Sequence, residues 1–333
     1  MTTRVLWAVS RSTAALGALL IAGLIAIPAS ARDEQSSSNP FAGAKLFVDP
    51  GSNASRAVRA LDARGRHDDA RLIEKIASNS SATWLGGWRG GHSSFFAYVR
   101  ARVAEISADG SLPVFVAYNI PNRDCGQHSA GGAKSPAAYV RWVRSLKRGI
   151  GKRHAVVILE PDALAGLSCL SQARRRQRLS LLRAAVRTLT SQSSISVYID
   201  AGNETWQSPR KIAQRLREVG VGRARGFALN VSNFYFTGDE RAYGRRVSAL
   251  VGRKPFVIDT SRNGRGPTPR HAWCNPPGRG LGQPATSDTG DRLVDAYLWV
   301  KLPGESDGTC RGGPSAGRWW LQYALGLARR AAF

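Results

Sequence analysis

Six stretches of the chain end an apolar run in acidic, amide or other polar side chains. "LPVFVAYNIPNRDC" brings Tyr118 and Asp124, "AVVILEPDALAG" Glu160 and Asp162, and "ISVYIDAGN" Asp200 and Asn203. "GFALNVSNF" brings Asn230 and Asn233, "PFVIDTSRNG" Asp259 and Arg262, and "YLWVKLPGESDGTC" Lys301, Glu305 and Asp307. The chain holds only 23 Asp and Glu against 48 Lys and Arg, so solvation alone does not explain acids delivered this regularly. Carboxylates gathered without histidine suit acid and base work on a neutral substrate. Glycoside hydrolysis is the leading case: one carboxyl protonates the leaving oxygen while another activates water or attacks. Singly, each Asp is as well explained as a helix cap or turn residue; the set favours catalysis. Asp124 poses the choice most sharply. "RDC" is either a corner in which Arg123 pairs with Asp124 and Cys125 pins the loop, or a catalytic rim.

Aromatic residues fit a sugar ligand. Trp84, Trp88, Trp206 and Trp273 fall in loops just past apolar runs, where a flat ring can stack on a pyranose. Trp142, Trp319 and Trp320 fall in helical stretches and read as core. No C-x-x-C occurs and the five histidines are scattered, so neither a metal site nor a cofactor is expected.

The elements that must position these residues alternate. After residue 40, buried strands are expected at "KLFVD", "ATWLG", "LPVFVAYNI", "AVVILEP", "ISVYIDAG", "GFALNVSN", "PFVIDTS" and "DAYLWVKLP". Amphipathic stretches at about 54–77, 94–108, 136–149, 171–191, 208–219 and 239–252 predict helices between them. Ser135-Pro136 and Ser208-Pro209 are start signals, an N-cap followed by proline at the first helical position. Near-continuous apolar strands separated by helices mean a parallel sheet covered on both faces. No G-x-G-x-x-G or Walker loop follows any strand, so seven or eight β/α units predict a barrel over an open doubly wound sheet. In a barrel the C-terminal strand ends form the active site, which is where these polar residues fall.

Residues 1–31 have the layout of a secretory signal peptide: Arg4 and Arg11, an apolar stretch, then Pro28-Ala29-Ser30-Ala31. An uncleaved anchor is the alternative. Residues 32–40 read as a short polar linker and 41–333 as one α/β domain. Export places Cys125, Cys169, Cys274 and Cys310 in an oxidising compartment, where two disulfides are expected. Three pairings are possible, and the early and late grouping favours Cys125–Cys169 and Cys274–Cys310. The formal charge of +25 comes largely from arginines in runs such as "ARRRQR" (173–178) and "RKIAQRLR", which read as a basic outer helical face. No nucleic-acid motif accompanies them.

"VAYNIPNRDCGQHSAGG" and "VVILEPDALAG" resemble the two signature stretches of glycoside hydrolase family 6, the inverting cellulases. The likeness continues through "YIDAGNETW", "NVSNF", "DTSRNG", "WCNPPGRGLG" and "LWVKLPGESDGTC", covering about residues 43–325. It implies a distorted β/α barrel with fewer than eight strands. It implies Asp162 as general acid, Asp124 as the carboxylate that raises Asp162's proton affinity and holds a water chain, and Asp307 as candidate base paired with Arg262. A relay of water past Asp124 is the competing route for the base. Tyr118 would press on the distorted sugar, Trp84, Trp206 and Trp273 would stack, and Lys301, Glu305, Asn203 and Asn233 would bind substrate, with Arg262 and Ser129 in support. The two disulfides of the family match the favoured pairing. Asn203 departs from the family's usual histidine after "DAG", which implies an altered subsite. Short loops around Cys125 and between Cys274 and Cys310 suggest an open cleft. The resulting expectation is a secreted or envelope-associated, monomeric endo-β-1,4-glucanase acting on β-1,4-glucan. Its partners include no nucleic acid, and no membrane beyond the signal segment. A non-catalytic carbohydrate- or cell-wall-binding barrel and an exo-acting cellobiohydrolase of the same family are the alternatives.

Overall fold

The computed structural model describes residues 1–3, 6–8, 39–89 and 92–333. The chain divides into two units, 1–38 and 39–333. The expected signal segment and linker lie almost wholly outside the described residues. Every strand and helix among the described residues belongs to the second unit.

Seven strands run parallel in one curled sheet: β2 (Thr83–Leu85), β4 (Val114–Ala117), β5 (Ala155–Leu159), β6 (Ile195–Asp200), β7 (Gly226–Leu229), β8 (Phe256–Asp259) and β9 (Val294–Leu298), hydrogen-bonded in that order. Alternation explains the curl. Val116, Val156, Ile158, Tyr198, Ala228, Val257, Ala296 and Leu298 point inward and form one apolar core. Their neighbours Phe115, Val157, Leu159, Val197, Phe227 and Ile258 point outward and join a second core beneath the helices. Among the described residues β2 and β9 share no ladder. Where the sheet's edges meet, the Ala82 N–H donates to the Trp299 carbonyl at 3.0 Å and Trp84 Nε1 to Val300 O at 2.8 Å. Among the described residues the barrel is therefore seven-stranded, distorted and only stitched along its seam.

The outer layer comprises α1 (Asn53–Asp62), α2 (His67–Ala77), α3 (His92–Ala108), α4 (Pro136–Ile150), α5 (Gln172–Thr190), α6 (Pro209–Val219), α7 (Thr237–Leu250) and α8 (Leu321–Arg329). Ser135 and Ser208 cap α4 and α6 as expected, accepting from the Ala138 and Lys211 N–H groups. Three expectations need correction. "KLFVD" is not a barrel strand: only Lys45–Leu46 (β1) is extended, paired with Ser111–Leu112 (β3) in a separate two-stranded sheet. Lys45 and Val48 are exposed, which a strand walled on both faces does not allow. The stretch 54–77 is two helices, broken at Gly65, whose φ of 70° no helix accommodates. Trp319 and Trp320 precede α8 instead of lying in a helix and are half-buried, whereas Trp142 is core.

Disulfides join Cys125 to Cys169 and Cys274 to Cys310. The first ties the loop after β4 to the loop after β5.

Candidate active site

The rim carboxylates divide into two kinds. Glu160, Asp200 and Asp259 are fully buried, and each accepts hydrogen bonds from loop backbone. Glu160 takes the N–H groups of Asn119 (2.9 Å) and Ile120 (3.0 Å). Asp200 Oδ1 takes those of Asp162 (2.9 Å) and Gly202 (3.2 Å). Asp259 takes four, from Ser232, Ser261, Val300 and Lys301, at 2.9–3.2 Å. Past a strand's end the amides lose their ladder partners, and leaving them buried and unpaired is costly. A carboxylate on the neighbouring strand satisfies several at once. These three acids hold the loops in place, the structural role that each acid taken singly admits. Burial raises all three above the ordinary carboxyl range, Glu160 to about 7.

Asp124, Asp162 and Asp307 are the second kind. Glu160 and Asp162 both take positive φ, 52° and 67°, so the turn that projects Asp162 is strained and depends on its Asp200 anchor. The Asp162 carboxyl, half-buried at the rim, is pushed up to about 7 by burial and then by the negative charges of Asp124 and Asp307. Arg178 and Lys301 oppose the rise. Asp307 is the opposite case. Burial would raise it, but Arg262 Nη1 reaches both its oxygens (3.0 and 2.9 Å), Lys301 Nζ lies at 3.1 Å and the Asn275 N–H donates at 3.0 Å. These partners hold it below the usual carboxylate range. Asp124, also at positive φ, is raised by burial, and Oδ2 accepts the Ser129 N–H at 2.7 Å. Ser129 thus acts on the site through its backbone.

Arg123 does not pair with Asp124 in a corner. Its guanidinium donates to the carbonyls of Tyr118 (2.8 Å), Ser129 (2.7 Å) and Ala130 (3.3 Å) and lies 4.5 Å over the Tyr118 ring. Tyr118 meets Trp84 edge-on, with centroids 5.2 Å apart. Trp206 and Trp273 expose 38% and 43% of their surface. Trp206 rests against Gly166 and Gly202, where a Cβ would touch its ring. The expected sugar-binding polar residues have partners within the chain. Asn203 is buried, its Oδ1 accepting from the Thr205 N–H (3.2 Å) and Oγ1 (3.1 Å). Asn233 Nδ2 donates to Val231 O, Glu305 Oε1 accepts from Asn53, and Lys301 joins Asp307.

Two functional candidates were hidden in the basic runs. Arg178 and Arg215 are 3% and 9% exposed, not on an outer face, and bond carbonyls of the loop that follows Asp162. The sequence did carry a signal. Arg178 continues the stripe of Leu181, Leu182, Ala185 and Leu189, and Arg215 lies between Ile212 and Val219 on theirs. Sulfurs of Cys274 and Cys310 come within 4.8 Å of a His128 ring nitrogen, but they are bonded to each other and offer no thiolate to a metal.

Residues 41–331 match the model of the glycosyl hydrolases family 6. The chain is 46% identical over 291 residues to endoglucanase A of Cellulomonas fimi, covering 86% of this chain and 61% of that one. It is 43% identical to endoglucanase 1 of Streptomyces halstedii, covering 93% and 95%. The structure of the endoglucanase Cel6 from Mycobacterium tuberculosis, in complex with a methyl-cellobiosyl-4-deoxy-4-thio-β-D-cellobioside, superposes with a TM-score of 0.84 at 45% identity, covering 88% of this chain and 99% of that one.

Proposed function

The chain belongs to glycosyl hydrolase family 6, and from that premise we infer an endo-acting β-1,4-glucanase that cleaves with inversion. The observation that carries this reading is the asymmetry of the three rim acids. Asp162, acted on by the negative charges of Asp124 and Asp307, keeps a proton to about neutrality, while Asp307 is held ionised by Arg262 and Lys301.

Asp162 gives its proton to the glycosidic oxygen as the bond from C1 to that oxygen breaks. Charge building on the ring is met by the nearby anions Asp124 and Asp307. One water adds to C1 from the opposite face, inverting the anomeric centre, and its proton leaves through water toward Asp124. Asp307 is a poor acceptor for that proton, because its partners occupy both oxygens and depress its basicity. Tyr118 lines the reacting position, Trp84, Trp206 and Trp273 stack sugar rings, and Asn203, Asn233, Lys301 and Glu305 shape the polar side of the cleft. Export through residues 1–31, a monomeric state and a β-1,4-glucan partner complete the proposal.

Endo action is supported by the relatives from Cellulomonas fimi, Streptomyces halstedii and Mycobacterium tuberculosis, each named an endoglucanase. The test is viscosity against new reducing ends on carboxymethyl cellulose, with Asp162→Asn beside the parent. A rapid fall in viscosity with few new ends, absent from the variant, supports the reading. Chain-end release without a viscosity fall points to exo action. Equal turnover in the variant removes Asp162 as the acid.

A further inference from the structure

Arg178 enters the site from behind. It sits on the apolar stripe of α5, and its buried guanidinium reaches the loops that follow β4 and β5. Nη2 donates to the carbonyls of Asn122 (2.6 Å) and Pro121 (3.2 Å), and Nη1 to that of Ala163 (3.5 Å). Asn122 stands two residues before Asp124, and Ala163 directly follows Asp162. One side chain from a distant helix therefore touches both loops that carry the reacting carboxyls. Burying an arginine is costly unless its donors and its charge are met. Here backbone carbonyls meet Nη1 and Nη2 while Nε is buried without a partner, and Glu160 and Asp162 lie close enough for their charges to act on the guanidinium.

The placement matches a mechanical need. Asn122, Asp124 and Cys125 all have positive φ, between 51° and 55°, as does Asp162 at 67°. Non-glycine residues hold such conformations only where their surroundings over-determine them. The Cys125–Cys169 disulfide fixes the outer side of this loop pair. Arg178 fixes its inner side, so Asp124 lies between two anchor points and Asp162 beside one. Arg215, from α6, reaches only the acid's own loop, through Leu164 O (2.8 Å) and Ala165 O (2.9 Å).

We propose that Arg178 is a positioning residue for glycosidic cleavage, tying the loop of Asp124 to the loop of Asp162 and setting the spacing between the two carboxyls. The proposal rests on the reading of Asp162 as general acid. A second consequence is electrostatic. The negative charges of Asp124 and Asp307 act on Asp162, Tyr118 and Asp200 lie close enough to interact with it, and Arg178 and Lys301 are the cations that oppose its rise. Removing the Arg178 charge raises the proton affinity of Asp162 further.

The experiment compares kcat, KM and pH profiles on soluble carboxymethyl cellulose for the full chain and for Arg178→Gln, Arg178→Lys, Arg215→Gln and Asp162→Asn. Arg178→Gln is expected to lose at least about tenfold in kcat, as small misplacements of reacting groups do, with KM within about twofold. Its alkaline limb moves up by about half a pH unit or more. Arg178→Lys keeps the charge but cannot span both loops, so kcat falls while the limb stays. Arg215→Gln lowers kcat without moving the limb. Parental kcat and limb in both Arg178 variants overturn the proposal. So does an Arg178→Gln profile that merely matches Arg215→Gln. If Arg178→Gln does not fold, Arg178→Lys decides, and full kcat there overturns the tether. Activity surviving in Asp162→Asn instead overturns the acid assignment, a separate outcome.

Discussion

One nitrogen of Arg262 reaches both oxygens of Asp307, at 3.0 and 2.9 Å, with the guanidinium fully buried and 4.3 Å from the centre of the Phe234 ring. This pairing makes Asp307 a fixed negative charge more than a proton acceptor. It also contributes to the charge that keeps Asp162 protonated.

Asp307→Asn is expected to act twice. Arg262 is left buried with less counter-charge, which destabilises the fold by about 3 kcal/mol, measurable by urea unfolding. With one anion gone, the proton affinity of Asp162 falls, so the alkaline limb of activity moves down. An unmoved limb would show that Asp307 does not act on Asp162.

Asp162→Asn should reduce turnover of unactivated glucan by about 10²–10⁴, the range expected for loss of a general acid. Binding of a non-hydrolysable cello-oligosaccharide, read by calorimetry, should change little. Substrates with good leaving groups should lose far less, since they need no proton on departure. A loss independent of leaving group would argue against the acid role.

Activity should decline as pH rises through about 7, where Asp162 gives up its proton. Asp124→Asn removes the larger of the two anionic charges acting on Asp162 and so shifts this limb downward. Initial rates across pH 5–9 check both statements, the range being chosen about the Asp162 value of about 7.

Stability should also depend on pH in the same window. Glu160 and Asp162 are raised to about 7, so between the ordinary carboxyl range and 7 the folded chain binds more protons than the unfolded one. Their contribution is present at low pH and lost as pH rises to about 7. Asp307, held low, works the other way, and its contribution is lost only under strong acid. Tm measured across this range should fall toward neutrality, and Glu160→Gln should flatten the fall.

Much of the fold was readable along the chain. Runs such as "AVVILEP" and "ISVYIDAG" are apolar on both faces, and only a sheet covered on both faces accepts them; that gives parallel strands with helices between. Ser135-Pro136 and Ser208-Pro209 marked their helices because capping is local chemistry. Asp124, Asp162 and Asp307 were visible with the other rim acids because strand ends are the places where apolar runs stop, and only the resemblance to glycoside hydrolase family 6 singled them out from Glu160, Asp200 and Asp259. "KLFVD" misled because a short apolar run does not reveal whether both its faces are covered.

What the sequence determined, then, was which side chains arrive at the rim. Their duties were decided by tertiary structure. Glu160 and Asp162 are two residues apart, yet one ends beneath the amides of Asn119 and Ile120 and the other at the mouth. Arg178 looks like its neighbours in "ARRRQR" until α5 packs and turns it toward Asn122 and Ala163. The physical reason is common to both. Protonation and burial depend on charges and amides distant in sequence, 38 residues for Asp162 with Asp200 and 57 for Arg178 with Pro121, and only the closing of the sheet brings these together.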